Sequence, residues 1–177
     1  MIISITGNLG SGKSTIAKML AKETGFHRIS VGDFMSEVAE EMNMSLLELQ
    51  KYSEDNKEVD EKLDNKQRHL KDSKENIILD SRLGWFFVPN SYKIYLNVDL
   101  DEATKRIFNE DREDEKENSD LEKTKENIKF RKQSELKRYK KYYDIDNFDS
   151  PENYDLVIDT TNLTTKEIIE KIIKKLF

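Results

Sequence analysis

The sequence contains no cysteine and only two histidines among its 177 residues. Without cysteine the chain can form no disulfide framework, no thiolate zinc site and no cysteine nucleophile. With His27 and His69 as the only imidazole groups, a multi-histidine metal centre is not expected either. Chemistry that depends on a thiol is excluded, and a metal centre that depends on several histidines is disfavoured.

Long apolar runs and an excess of basic residues are also missing. No apolar stretch approaches the roughly 20 residues that a membrane span needs, and the first short run, residues 2–5, lacks the basic flank of a secretion signal. The net charge is −6, whereas a general nucleic-acid binder is usually basic. We therefore expect a cytoplasmic protein of one compact domain, with neither a membrane nor a nucleic acid as partner.

Short apolar runs alternate with helical patterns along the chain, which predicts an α/β domain around a parallel sheet. Buried strands are predicted at residues 2–6, 76–80, 92–98 and 155–159, and a weaker fifth strand at 28–31. Helices are predicted at residues 13–24, 33–42, 45–52, 58–71, 101–109, 121–143 and 165–176. Two regions interrupt the alternation: several helices lie between the second and third strands, and residues 109–124 are almost wholly polar.

A glycine-rich motif between the first strand and the first helix predicts a phosphate-binding loop. Residues 7–14 have the sequence Gly-Asn-Leu-Gly-Ser-Gly-Lys-Ser and fit the pattern GxxxxGK[ST]. Glycine lets the backbone curl so that several N–H groups point at one phosphate, and the following helix adds its own unpaired N–H groups. Lys13 can neutralise the β- and γ-phosphates, and the Ser14 hydroxyl can bind Mg²⁺. The predicted ATP-binding residues of this loop are Gly7, Asn8, Leu9, Gly10, Ser11, Gly12, Lys13, Ser14 and Thr15.

An apolar strand that ends in aspartate supplies a second element of a nucleotide site. Asp80 ends the predicted strand 76–80, in the manner of an acidic residue that holds Mg²⁺ directly or through water. Both motifs also have a purely structural interpretation: a glycine-rich turn, and an aspartate that ends a buried strand. Their order along the chain favours the nucleotide site, with Ser14 and Asp80 as predicted metal ligands. Beside such a site, the polar residues 109–124 become a candidate lid, although their composition alone favours a solvated loop.

Several basic residues can offset the repulsion between two phosphate groups. A guanine-binding Asn-Lys-x-Asp motif is absent, so a GTPase is disfavoured and a small kinase remains. Arg82 follows Asp80 at the carboxyl end of a strand, where α/β sheets bind ligands. Arg131, Glu135 and Arg138 are spaced i, i+4, i+7 and share one face of a predicted long helix. The alternative for these three residues is a solvated, salt-bridged helix face, and the alternative for Arg82 is a surface turn.

These segments resemble the cytidylate kinases, and most closely their compact archaeal type, within the nucleoside-monophosphate kinase family. The resemblance covers residues 2–21, 30–33, 45–67, 76–85, 131–139 and 154–160. It implies a P-loop NTPase fold with a five-stranded parallel sheet flanked by helices. The implied core is 1–32, 73–108 and 144–177, with a helical NMP-binding insertion at about 33–72, and a short lid with its flanking helix at about 109–143. It also implies ATP with Mg²⁺, and CMP or dCMP as the phosphoryl acceptor.

The resemblance implies roles for individual residues as well. The catalytic residues would be Lys13, Arg82, Arg131 and Arg138. Arg106 would border the lid and the ATP. The acceptor would be bound by Asp33, Lys66, Arg82, Glu135 and Arg138. The sequence departs from the family at Ser36 and Lys66, because the family commonly has arginine at both positions.

Two other functions stay open. Another small P-loop kinase, such as an adenylate kinase or a nucleoside kinase, would share the loop but use a different acceptor. A nucleotide-dependent binding protein would use the basic helix at 121–143 to contact RNA or a protein partner, although the acidic net charge disfavours this function. We expect the protein to be a monomer.

Overall fold

A five-stranded parallel sheet forms the centre of the computed structural model, which describes residues 1–110 and 118–176. The strands are β1 (Ile2–Gly7), β2 (His27–Ser30), β3 (Ile77–Asp80), β4 (Tyr92–Asn97) and β5 (Leu156–Asp159). Their order across the sheet is β2-β3-β1-β4-β5, and all four pairings are parallel. Every strand therefore ends at the same edge. The predicted sheet is confirmed, and its weaker strand is β2, which begins one residue before the predicted start.

The described part of the chain also forms eight α-helices. They are α1 (Lys13–Thr24), α2 (Val31–Glu41), α3 (Leu46–Ser53), α4 (Glu58–Arg68), α5 (Gly84–Phe87), α6 (Leu100–Asn109), α7 (Leu121–Tyr143) and α8 (Thr165–Leu176). The sequence does not predict α5, because one turn is too short to show a helical period. Helix α4 ends before the predicted residue 71 and continues as a 3₁₀ turn at His69–Asp72. No helix within the described residues is long and apolar enough to cross a membrane.

Apolar side chains pack on both faces of the sheet, because alternate residues of a buried strand point to opposite faces. Ile3 and Ile5 of β1 belong to a cluster that includes residues of α1 and α8. Ile2 belongs to a second cluster, in which Phe87 of α5 and Tyr139 of α7 take part. The sheet is thus enclosed between helices, as the predicted α/β class requires.

Helices α2, α3 and α4 share an apolar cluster of their own, which contains Ala39, Leu46, Leu49, Val59 and Leu63. The Ser30 side chain accepts a hydrogen bond from the backbone N–H of Asp33, so α2 starts directly after β2. An inserted helical unit needs an apolar cluster of its own, as these three helices have. The boundaries of the core, the insertion and the lid stay predictions. Within the predicted lid, residues 111–117 lie outside the described residues.

The packing of the loop after β1 against α6 generates a first prediction. Gly10 and Gly25 both have left-handed φ values, 76° and 73°. A Cβ on Gly10 would lie 2.8 Å from the Cα and the carbonyl oxygen of Ala103, whereas a Cβ on Gly25 would meet no atom within 4 Å. We expect Gly25→Ala to lower the free energy of unfolding by about 1–2 kcal/mol through backbone strain alone. Gly10→Ala should lower it further, because the backbone of α6 must also move.

Urea unfolding of the two variants and the wild type measures this difference. Gly25→Ala is the matched control, since it carries the same backbone strain without the contact to α6. Equal losses of stability in the two variants would contradict the close packing of Gly10 on Ala103.

Candidate active site

The carboxyl ends of the strands open into one cavity of about 1020 Å³. The loop between β1 and α1 forms one part of its wall, residues of α2, α3 and α4 form another, and residues of α7 a third. Parallel α/β sheets bind ligands at this edge, so the cavity is the candidate active site. The predicted site residues that line it are Asn8, Leu9, Gly10, Ser11, Gly12, Lys13, Ser14, Thr15, Asp33, Arg82, Arg106, Arg131, Glu135 and Arg138.

The loop at residues 7–14 has the backbone that a phosphate cradle needs. Gly10 and Gly12 have φ values of 76° and 81°, which glycine adopts without steric cost. A Cβ on Gly7 would lie 2.6 Å from the carbonyl oxygen of Leu96, so the close packing of the loop on β4 also requires glycine. Gly12 has no side chain with which to cap α1, and the first N–H groups of that helix remain available to an anion.

Asn8 fixes the loop to the sheet. Its Nδ2 donates to Asn97 Oδ1 at 2.8 Å, and its Oδ1 accepts from the Tyr95 hydroxyl at 2.7 Å. Its backbone N–H donates to the carbonyl oxygen of Leu96 at 3.1 Å, and its own carbonyl accepts from the Ser11 N–H at 3.1 Å. The loop is therefore ordered by the protein itself, which reduces the entropy that a ligand must overcome on binding.

Four charged side chains form a line from this loop to the start of α2. Lys13 Nζ donates to Asp80 Oδ1, and Arg28 Nη2 donates to Asp80 Oδ2 at 2.9 Å. Arg28 Nη1 also donates to Asp33 Oδ2 at 2.8 Å. Burial acts to raise the pKa of Asp80, but Lys13 and Arg28 outweigh it and hold that pKa below its usual value. Asp80 is therefore an ionised carboxylate, and its oxygens have further lone pairs for water or a metal ion.

Arg28 is a functional candidate that sequence reasoning missed. It lies on the short strand β2, and no motif marks it. Its partners Asp33 and Asp80 lie 5 and 52 positions away along the chain, so only the fold brings the second pair together. Because Arg28 orients the carboxylate that Lys13 contacts, it acts on the phosphate loop through Asp80.

Ser14 and Asp80 offer the oxygen ligands that Mg²⁺ prefers, which fits the predicted metal site. Ser14 lines the cavity in the first turn of α1, and Asp80 lies behind Lys13 and is fully buried. Residues 1–110 and 118–176 contain no group of three or more acidic or histidine side chains that could hold a metal. One hydroxyl and one carboxylate suit an ion that enters together with the phosphates of a nucleotide.

Helix α7 turns one charged face toward the cavity. Arg82 Nε pairs with Glu135 Oε2 at 3.0 Å, and Arg82 Nη1 donates to the carbonyl oxygen of Gly7. Arg138 Nη1 lies 2.8 and 2.9 Å from the two carboxylate oxygens of Asp60 on α4. Glu135 and Arg138 are only 4% and 2% exposed, so the alternative of a solvated helix face is wrong for both. The fold brings Arg82 and Arg138 into one cavity with the loop.

Arg106 of α6 connects the loop to the segment after β5. Its Nη2 donates to the carbonyl oxygens of Thr160 and Thr161 at 2.9 and 3.1 Å, and its Nη1 lies 3.4 Å from the carbonyl oxygen of Gly10. Its Nε pairs with Glu102 Oε1 at 3.0 Å. Arg106 thus lies beside the glycines of the loop, and its predicted role at the border of the ATP stays a prediction.

Lys66 is a predicted acceptor-binding residue that does not line the cavity. It is exposed, and its Nζ lies 3.1 Å from the centre of the Phe34 ring. Helix α4 turns Asp60, Asp64 and Gln67 toward the cavity. Lys66 lies off that face, because successive helical residues are rotated by about 100°. Gln67 occupies the cavity wall next to this position, and the predicted contact of Lys66 with an acceptor phosphate stays a prediction.

Two carboxylates of α4 also escaped the sequence reasoning. Asp60 and Asp64 line the cavity, each only 5% exposed, and Asp64 Oδ2 accepts a hydrogen bond from the Tyr143 hydroxyl. Burial raises the pKa of Asp64 to about 6, and the charge of Asp60 adds to this although the bond from Tyr143 acts against it. The spacing of residues 60, 64 and 67 on one helix face is the signal that could have identified them.

Comparison with known proteins shows the family of this chain. The model of the cytidylate kinase-like family matches residues 2–162. A cytidylate kinase from Sulfurisphaera tokodaii is 39% identical over 176 residues, which cover 98% of this chain and 93% of that protein. An S-adenosylmethionine-dependent nucleotide dehydratase from Lacinutrix mariniflava is 36% identical over 173 residues, or 97% of this chain. The chain spans only 35% of the dehydratase.

A crystal structure of shikimate kinase from Bacteroides thetaiotaomicron shares the fold. The TM-score is 0.64 at 15% sequence identity, and the match covers 99% of this chain and 98% of the other. At this identity the likeness concerns the fold alone. It confirms the predicted α/β fold with a parallel sheet flanked by helices.

The raised pKa of Asp64 predicts how its removal changes stability. Between the usual pKa of an aspartate, about 4, and the folded value of about 6, the folded protein binds more protons at Asp64 than the unfolded chain does. The wild type therefore loses stability through this group as the pH rises from about 4 to about 6. In the Asp64→Asn variant this side chain does not titrate. The free energy of unfolding of the variant minus that of the wild type should therefore rise over this pH window, by roughly 1–3 kcal/mol.

Unfolding by urea at a series of pH values checks this expectation. Glu61→Gln, an exposed position on the same helix, is the matched control and should not reproduce the rise. A difference between Asp64→Asn and the wild type that stays constant from pH 4 to pH 7 would contradict it.

Proposed function

Because the chain belongs to the cytidylate kinase-like family, we propose that it transfers the γ-phosphoryl group of ATP to CMP or dCMP, yielding ADP and CDP or dCDP. It is a nucleoside-monophosphate kinase. The choice of site rests on one observation. The glycine-rich phosphate loop with Lys13 lines the same cavity as Arg82, Arg131 and Arg138. Its volume of about 1020 Å³ lies at the upper end of the range for ligand pockets, as two nucleotides require.

Charge neutralisation and positioning account for the catalysis in this proposal. The acceptor phosphate is already an anion, so no general base is needed to activate it. The difficulty is to bring two anionic groups together, and fixed cations reduce that repulsion most where water is excluded. Lys13 would contact the β- and γ-phosphates of ATP, and Arg82 would bind the acceptor phosphate with its planar guanidinium group.

The remaining residues of the cavity position the two substrates. Ser14 and Asp80 would hold the Mg²⁺ that accompanies ATP, and this ion would supply further positive charge next to the phosphates. Arg131 and Arg138 would lie near the transferred group, and Glu135 would accept a hydrogen bond from a sugar hydroxyl of the acceptor. Asp33 would act on the acceptor side of the cavity, through the position it gives to Arg28.

The family membership favours this function over a nucleotide-dependent protein that binds RNA or a partner. An adenylate or nucleoside kinase differs only in the acceptor, so direct assay separates it. The monomeric state and the cytoplasmic location stay predictions.

An acceptor panel tests the proposed reaction. With ATP and Mg²⁺ present, we expect CMP or dCMP to stimulate the release of ADP well above that seen with AMP, since the chain belongs to the cytidylate kinase-like family. A coupled ADP-release assay with CMP, dCMP, UMP and AMP measures it. Absence of acceptor-stimulated turnover with all four nucleotides would refute the proposed function, and a preference for AMP would replace it by adenylate kinase activity.

The role of the phosphate loop is tested at Lys13. Lys13→Ala should lower kcat by at least about 10²–10³-fold, because the cation acts on charge that develops during transfer. Lys22→Ala, at an exposed position of the same helix and outside the cavity, is the matched control and should keep wild-type activity. Steady-state kinetics with the best acceptor of the panel give both values. A loss of less than tenfold in Lys13→Ala would be incompatible with the proposed site.

A further inference from the structure

Among the buried side-chain atoms without a hydrogen-bond partner in the described residues, Gln50 Oε1 is one that can only accept. Gln50 lies on α3, is 4% exposed and lines the cavity. Its Oε1 is buried and has no hydrogen-bond partner within residues 1–110 and 118–176. Buried acceptors are nearly always satisfied in folded proteins, so an unsatisfied one at a cavity wall indicates a place where a ligand donates a hydrogen bond.

A second acceptor lines the same cavity from α4. Three polar residues on this helix face the cavity: Asp60, Asp64 and Gln67. Asp60 is held by Arg138, and Gln67 Oε1 accepts from the Ser81 hydroxyl at 2.5 Å. Asp64 accepts from Tyr143 through Oδ2, but a carboxylate offers about four lone-pair positions. Asp64 can therefore accept from a ligand while it keeps its bond to Tyr143.

The part of the cavity wall formed by α2, α3 and α4 also contains apolar side chains, which suit a heteroaromatic ring. Met35, Leu46 and Leu63 line the same cavity and belong to the helices α2, α3 and α4. The phosphate loop with Lys13 forms a separate part of the wall, between β1 and α1. Apolar walls with a few placed polar groups are the usual composition of a site that orients a heteroaromatic ligand.

We propose that Gln50 and Asp64 read the base of the acceptor nucleotide and select cytosine over uracil, an inference that rests on the proposed function. The exocyclic amino group of cytosine donates two hydrogen bonds, whereas uracil has a carbonyl acceptor at the same position. An ionised Asp64 can only accept, so it favours the amino group and repels the carbonyl. Gln50 has both an acceptor and a donor in its amide group, and it can adapt to either base. Asp64 is therefore the discriminating residue.

Two substitutions with opposite expected effects test this assignment. Asp64→Asn gives the position an N–H donor, so the ratio of kcat/KM for CMP to that for UMP should fall by roughly tenfold or more, with use of UMP improving. Gln50→Glu removes the donor and leaves acceptors only, so the same ratio should rise. Glu61→Gln, at an exposed position of α4 outside the cavity lining, is the matched control and should leave the ratio unchanged.

The outcomes separate the inference from the function on which it rests. If the wild type shows no acceptor-stimulated turnover with any nucleotide, the proposed function fails and this inference fails with it. If the wild type phosphorylates CMP but both variants change CMP and UMP by equal factors, the function remains and the two residues have only a structural role. A fall in the ratio for Asp64→Asn together with a rise for Gln50→Glu establishes base recognition by these two side chains.

Discussion

The cations of the cavity depend on one constraint: a charge removed from water must be paired. Three cations of the cavity wall each contact a carboxylate of the protein, in the pairs Lys13–Asp80, Arg82–Glu135 and Arg138–Asp60. All three carboxylates belong to residues that are 5% exposed or less. Each pair satisfies a buried charge that would otherwise cost several kcal/mol. The pairs also fix the directions in which the cations can offer their remaining N–H groups to a phosphate.

The fold supplies these carboxylates from three distant parts of the chain. Asp80 ends a central strand, Glu135 lies on the long helix α7, and Asp60 lies on α4 of the helical cluster beside the sheet. Because parallel strands all end at one edge, the loop after β1 and the end of β3 are neighbours without any turn between them. Helix α7 then spans the distance from the sheet to α4, so one rigid element holds both Glu135 and Arg138.

The sequence patterns predicted the structural features that are determined by residues close together in the chain. The glycine loop at 7–14 has a fixed spacing, and Asp80 ends a recognisable strand that Arg82 closely follows. The structure has the loop and the strand at these positions. Long-range pairs could not be read in the same way, since the partners of Arg28 and Arg138 lie up to 78 positions away. Lys66 shows a further limit of pattern reading. A residue of a helix can be assigned to a cavity only when it is known which face of the helix is buried. The apolar residues of α4 indicate that face only after the helices that pack against α4 are known.

The pairing of these three cations has a consequence for specificity. An acidic protein with a net charge of −6 does not attract nucleotides by its overall field, and the pairs leave little net positive charge within the cavity itself. Under the proposed function, a phosphate would replace a carboxylate as the partner of such a cation, and it would do so only where its geometry matches the N–H groups better than the carboxylate does. A planar guanidinium group binds a tetrahedral phosphate best at a defined distance and angle. Recognition in the proposed site would then depend on geometry as well as on charge, so the protein could hold two polyanions next to each other without binding other anions tightly.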